Sequence, residues 1–221
     1  VECVVLTDFD GTMVTIDTAQ YVLDKFADKS WRLIEEQLER GEMTFEESLA
    51  REFAMLRVPE NTMLKALEPV THFRPSFDRL IQYCKDQGFP IVVVSGGLDF
   101  SIRHFLGQKG WLHSLEVYSP KAQSTENGIT LSFPDRFDRN STNFKDDLVR
   151  YHKNRGKKVI YVGDGLGDYP AARIANLPHA VKDSTLAQLC RLGHVACTEI
   201  TDFQEVVESV RRWIFMANKA T

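Results

Sequence analysis

Three short apolar runs punctuate the chain, at residues 3–7, 91–95 and 159–163. Each has the unbroken hydrophobic character of a strand buried on both faces, and each ends in polar or glycine residues. Helical patterns precede two of them. Residues 75–87, stopped by Gly88, lead into the second run, and residues 143–153, followed by Gly156, lead into the third. This alternation predicts an α/β fold built on a doubly wound (Rossmann-like), mostly parallel sheet. Such sheets carry their sites at the carboxyl ends of the strands. Those ends hold the most unusual polar residues of this chain.

Residues 18–69 break the rhythm and read as consecutive helices. Ser30 is expected to cap a helix over 31–40 that Gly41 ends. Thr44-Phe45-Glu46-Glu47 is a capping-box pattern opening a helix over 45–57, with Leu49, Phe53 and Leu56 on its apolar face. Pro59 and Pro69 bracket a shorter helix. A small helical-bundle cap inserted after the first strand would sit above the strand ends. The expected organisation is a core domain of residues 1–16 and 72–221 with a cap domain of residues 17–71. Asn127-Gly128 between two extended runs predicts a hairpin within 121–133. Residues 186–217 read as helix, strand and helix at the sheet edge.

Composition narrows the function classes. Across 221 residues, 43% hydrophobic and 26% charged is a globular balance, and no apolar run is long enough to span a bilayer. A net charge of −4 argues against a partner bound through a basic surface, such as nucleic acid. Cys3, Cys84, Cys190 and Cys197 are scattered, with no Cys-x-x-Cys pair, and read as buried free thiols in a reducing, cytoplasmic setting. The six histidines form no metal spacing. The N-terminal residues read as a first strand, without a visible secretion signal.

The first run ends in Thr7-Asp8-Phe9-Asp10-Gly11-Thr12 and the third in Gly163-Asp164-Gly165-Leu166-Gly167-Asp168. Four carboxylates at equivalent strand ends repel one another unless a cation joins them. Oxygen donors without a His/Cys cluster favour Mg²⁺ over zinc. The second run ends in Ser95-Gly96-Gly97 before a helical stretch, an arrangement that can hold phosphate. Of the lysines between the second and third runs, Lys145 begins the helix before the third strand and can reach the strand ends; Lys157 and Lys158 sit at the opposite end.

Taken in order along the whole chain, these motifs resemble the haloacid dehalogenase superfamily. The resemblance implies that Asp8 is a nucleophile that becomes phosphorylated and that Asp10 is the general acid and base. It implies that Ser95, Gly96 and Lys145 bind the phosphoryl group, and that Asp8, Asp10, Asp164 and Asp168 gather around Mg²⁺. The expected reaction is hydrolysis of a small phosphorylated metabolite by a monomer or homodimer, without nucleic acid or membrane. Hydrolysis of phosphoserine, a phosphoserine-type phosphotransferase and a non-catalytic phospho-ligand module are the alternatives. Val94-Ser95-Gly96-Gly97-Leu98-Asp99-Phe100 and Val181-Lys182-Asp183 are similar to the phosphoserine-phosphatase branch. Phe45-Glu46-Glu47-Ser48-Leu49-Ala50-Arg51 resembles the cap of methionine-salvage phosphatases that cleave an enol phosphate. Two features depart from these patterns. No cysteine-rich segment precedes Lys145, and the cap Arg of phosphoserine phosphatases would fall at Glu52, while their substrate-anchoring Glu is replaced by Asp17. Asp17 and Arg51 are the cap candidates for touching substrate. Asp17 can equally cap the helix that starts at Thr18, and Arg51 can pair with Glu47.

Overall fold

The three apolar runs are neighbours at the centre of one sheet. A computed structural model describes residues 2–219. In chain order its strands are β1 (Cys3–Thr7), β2 (Ile91–Val94), β3 (Glu116–Tyr118), β4 (Lys121–Thr125), β5 (Gly128–Ser132), β6 (Lys158–Gly163), β7 (Leu177–Val181) and β8 (Thr198–Ile200). Six of them form a parallel sheet in the order β3-β2-β1-β6-β7-β8. Val5 is in register with Ile91 on one side and Ile160 on the other. Every residue of β1 and β2 is buried, which is why both read as continuous apolar runs. The doubly wound expectation is borne out.

Helices α1 (Thr18–Phe26), α2 (Trp31–Glu39), α3 (Phe45–Phe53) and α4 (Glu60–Leu67) follow β1 directly. In this bundle α2 packs on α3 and α1 on α4, closing over Val22, Leu23, Trp31, Phe53, Leu56 and Met63. The Thr44–Glu47 capping box forms as expected, with Thr44 Oγ1 accepting from Glu47 N and a Glu47 carboxylate oxygen accepting from Thr44 N. Two local expectations are corrected. Ser30 is itself helical and makes no side-chain cap; its amide instead donates to Asp28 Oδ1 at 2.9 Å. Helix α3 stops at Phe53 rather than at 57, where the β4–β5 hairpin abuts it. There Gly128 has φ +120°, and a Cβ on it would lie 2.0 Å from the Ala54 carbonyl oxygen.

The sheet is flanked by α5 (Phe77–Gln87), α6 (Asp99–Gln108), α7 (Phe144–Asn154), α8 (Tyr169–Ile174), α9 (Thr185–Leu192) and α10 (Phe203–Lys219). Helix α5 packs on α10 through Phe77 and Phe203, whose ring centroids lie 4.8 Å apart, and α7 packs on α8. Among the described residues no helix is long and apolar enough to cross a membrane. Among the described residues Cys3, Cys84 and Cys190 are buried and Cys197 is half-buried.

Candidate active site

The site forms where β1, β2 and β6 end together. The Asp8 amide donates to the Val162 carbonyl at 2.9 Å, so the β1–β6 pairing carries Asp8 to the last rung. Asp8 Oδ1 accepts from Phe9 N at 2.7 Å, which fixes its carboxylate before the chain turns. The turn (Phe9–Met13) has Gly11 at φ +65°, and a Cβ there would lie 2.2 Å from Asp164 Oδ2. Glycine is what lets the two loops meet. Thr12 Oγ1 then donates to Asp164 Oδ1 at 2.7 Å. Arg74, unremarked in the sequence, holds this turn by donating from Nε to the Thr12 carbonyl and from Nη2 to the Gly11 carbonyl, both at 2.8 Å.

Lys145 is placed by the start of α7. Asn143 caps that helix, its Oδ1 accepting from Lys145 N and Asp146 N, and its Nδ2 donates to the Gly167 carbonyl at 2.9 Å. Lys145 Nζ lies 2.8 Å from Asp8 Oδ2 and 2.7 Å from Asp168 Oδ1. Burial opposes its charge, but Asp168 and Asp8 hold the ammonium above the ordinary lysine range. Asp168 also accepts from Tyr161 Oη at 2.6 Å and from the amides of Asp164 and Gly165 at 3.0 and 2.9 Å. Although burial works against ionisation, the Lys145 charge and these bonds keep Asp168 below the usual carboxylate range. Asp168 therefore braces the loop and the lysine.

The other acids accept fewer bonds. Burial, then the charge of Asp168, raises Asp8 well above a normal carboxylate and lifts Asp164 to about 7. Carboxylate oxygens of Asp8, Asp164 and Asp168 all lie within 4.8 Å of one another. The Asp10 carboxylate stands outside that group. Its Oδ1 accepts from Thr18 N at 2.9 Å and Thr18 Oγ1 at 2.5 Å, tying the first residue of α1 to the core. Its Oδ2 is buried without a partner, over Gly97, where a Cβ would come within 2.1 Å. Burial first, and the charge of Asp17 second, push Asp10 up to about 8. Ser95 is buried beside it, its Oγ accepting from Gly97 N at 3.1 Å.

The cap closes over these groups through Phe45. A Cβ on Gly96 would lie 3.0 Å from the Phe45 ring, and one on Gly167 would lie 2.6 Å from it. The ring stacks on Phe144 at 6.0 Å, with Lys145 Nζ 5.7 Å from its centroid. Next to it, Glu46 Oε1 accepts from Arg136 Nη2 at 2.6 Å and from Phe144 N at 3.0 Å. Neither contact was visible in the sequence. Between cap and core remains a cavity of about 470 Å³, lined by Asp8, Asp10, Ser95, Lys145 and Asp164 below and by Asp17, Trp31, Glu35, Leu49 and Glu52 above.

The two cap candidates part company. Asp17 caps α1, its Oδ1 accepting from Gln20 N at 2.8 Å, and it also lines the cavity. Arg51 is exposed and stands outside the lining; its neighbour Glu52 takes the wall position. The two differ by about 100° around α3.

A protein-family model described as haloacid dehalogenase-like hydrolase matches residues 5–173. The chain is 24% identical over 216 residues to a 2-hydroxy-3-keto-5-methylthiopentenyl-1-phosphate phosphatase of Brevibacillus brevis, covering 95% of both chains. It is 26% identical to the protein of the same name from Bacillus cereus, covering 91% of this chain and 93% of the relative. A solved structure titled as a phospho-aspartyl intermediate analogue of phosphoserine phosphatase superposes with a TM-score of 0.69 at 22% identity, covering 94% of this chain and 98% of that one. This last likeness speaks for the fold.

Proposed function

We propose that this chain, which belongs to the haloacid dehalogenase-like hydrolase family, hydrolyses the phosphate ester of a small metabolite through an aspartyl phosphate on Asp8. One observation carries the reading. Two carboxylates on one turn are in opposite states of use: Asp8 is engaged by Lys145 at 2.8 Å, while Asp10 keeps a buried oxygen with no partner. A nucleophile needs the first state, and a group that must hold and return a proton needs the second.

In the first step an Asp8 carboxylate oxygen attacks phosphorus in line and the ester P–O bond breaks. Asp10 gives its proton to the departing alkoxide. In the second step Asp10 takes a proton from water as the water oxygen attacks the aspartyl phosphate. The bond from phosphorus to Asp8 breaks, and inorganic phosphate leaves. Lys145, the Ser95 hydroxyl and the Gly96 amide are assigned to the phosphoryl oxygens. The elevation of Asp10 to about 8 keeps it protonated at neutral pH, ready for the first step.

The acid cluster fits Mg²⁺. Its donors are hard oxygens, their mutual spacing suits one ion, and three carboxylates share the single charge of Lys145, with Asp164 raised by burial and by Asp168. Asp8 and Asp164 would hold the ion, with Asp168 and Thr12 orienting them. When bound, Mg²⁺ supplies positive charge to the phosphoryl oxygens.

Among described residues, Lys145 is the one cationic side chain on the cavity wall, which leaves a carboxylated leaving group, such as that of phosphoserine, without a partner. The substrate in the relatives' name, a phosphate ester with hydroxyl, keto and methylthio groups, is the reference compound for measurement. The test is turnover of p-nitrophenyl phosphate with Mg²⁺. It is expected to release inorganic phosphate, to stop with a chelator and to vanish in Asp8→Asn. Full turnover in Asp8→Asn would sink the mechanism.

A further inference from the structure

We infer that the cap reads a cationic leaving group, so that the substrate is the phosphate monoester of an amino alcohol with Glu52 as counter-ion to its ammonium. The inference rests on the phosphatase reading above and names the substrate class for that site.

Glu52 is the anomaly of the cavity. It is only 9% exposed, it lines the wall opposite the catalytic acids, and among the described residues nothing bonds or pairs with its carboxylate. A buried carboxyl left this way is costly unless a ligand completes it. The groups around it make matters worse: Glu35 and Asp17 lie close enough for their charges to add to the effect of burial. These two are partly answered, since Gln20 donates from Nε2 to Glu35 Oε1 at 2.9 Å and from its amide to Asp17. Glu52 is not. The lone cation of the lining, Lys145, is already committed to Asp8 and Asp168.

With Glu52 ionised, the cap wall lacks one positive charge at a defined place. A carboxylated leaving group would add a further negative charge. A polyol would satisfy acceptors but neutralise nothing. An ammonium does both. Asp8, Ser95 and Lys145 fix the phosphoryl end below, so the ammonium must belong to the far end of the ester. The substrate named for the relatives has no amine in its name. The ammonium assigned to Glu52 is thus a group that the relatives' named substrate does not carry.

Calorimetry with Mg²⁺ and two inert isosteres, aminopropylphosphonate and butylphosphonate, tests this without requiring turnover. Wild-type protein should bind the amine at least about tenfold tighter, the low end for a desolvated charge pair. Glu52→Gln should bring the two affinities together. Should that variant fail to fold, Glu35→Gln is expected to narrow the ratio, and the wild-type ratio decides alone. Equal or tighter binding of butylphosphonate by the wild type overturns the inference, as does an unchanged ratio in folded Glu52→Gln. The phosphatase reading fails separately: ammonium preference without any p-nitrophenyl phosphate turnover sinks that reading alone, and turnover without the preference sinks only this one.

Discussion

Lys145 Nζ sits 2.8 Å from Asp8 Oδ2, in an ion pair whose side chains are 3% and 9% exposed. The pair joins the first turn of α7 to the end of β1. The Lys145 charge pulls Asp8 toward the ionised form a nucleophile needs, against burial and the charge of Asp168, which on balance still raise it. Lys145→Met should leave two buried carboxylates without their cation. The expected cost is about 3–5 kcal/mol in denaturant unfolding near neutral pH, with turnover down by about a hundredfold or more. Unfolding midpoints and turnover close to wild type would contradict this role.

Thr12 and Asp164 give a second prediction, on the metal. Uncompensated acids at the strand ends should make the apo protein respond to Mg²⁺ by linkage, with the thermal midpoint rising as the ion is added. Asp164→Asn should abolish that rise. Thr12→Val, which removes the 2.7 Å bond to Asp164 Oδ1, should weaken Mg²⁺ by about tenfold, as orienting partners of ligands do. A Mg²⁺ response that survives in Asp164→Asn would move the ion elsewhere.

Glu46 links cap to core, and its loss should read as an opening defect. The Glu46 carboxylate accepts from Arg136 and from the Phe144 amide, holding Phe45 down on Gly96 and Gly167. Bonds to a charged group of this kind contribute about 1.5–3 kcal/mol. Glu46→Ala should therefore speed amide exchange in α3 and lower kcat/KM by about ten- to a hundredfold, with the fold retained. Unchanged exchange in α3 would show that Glu46 does not hold the cap.

What was legible in the sequence follows from what a side chain must do locally. Strands β1, β2 and β6 were readable because both faces are buried. Strand β7 was not, because Pro178 and His179 interrupt its apolar run, and β3 was not, because it is three residues long with Glu116 exposed. The acids at 8, 10, 164 and 168 stood out because carboxylates at buried strand ends have no use in packing. Arg74 and Glu46 did not, since Arg74 acts on carbonyls more than sixty positions away in sequence and Glu46 on an arginine ninety positions away. Glu52 had a signal that went unused. Phe45, Ser48, Leu49 and Glu52 all line the cavity, an i, i+3, i+4, i+7 stripe in which a carboxylate is out of place.

That stripe gives the last prediction, on stability against pH. Burial, then the charges of Glu35 and Asp17, raise Glu52 from 4.5 to about 8 in the folded chain. The raised value means that, between these limits, the folded state binds a proton that the unfolded state has released. Stability should then fall as pH rises from about 4.5 to 8, by at most about 1.4 kcal/mol per unit from this group. Below the lower limit both states are protonated and the contribution is flat; above the upper limit the full penalty is in place. Glu52→Gln, neutral at every pH, should flatten this part of the profile and be more stable than wild type near pH 8 while matching it near pH 4. Parallel wild-type and variant curves in urea unfolding across that window would mean that Glu52 ionises freely in the folded cavity.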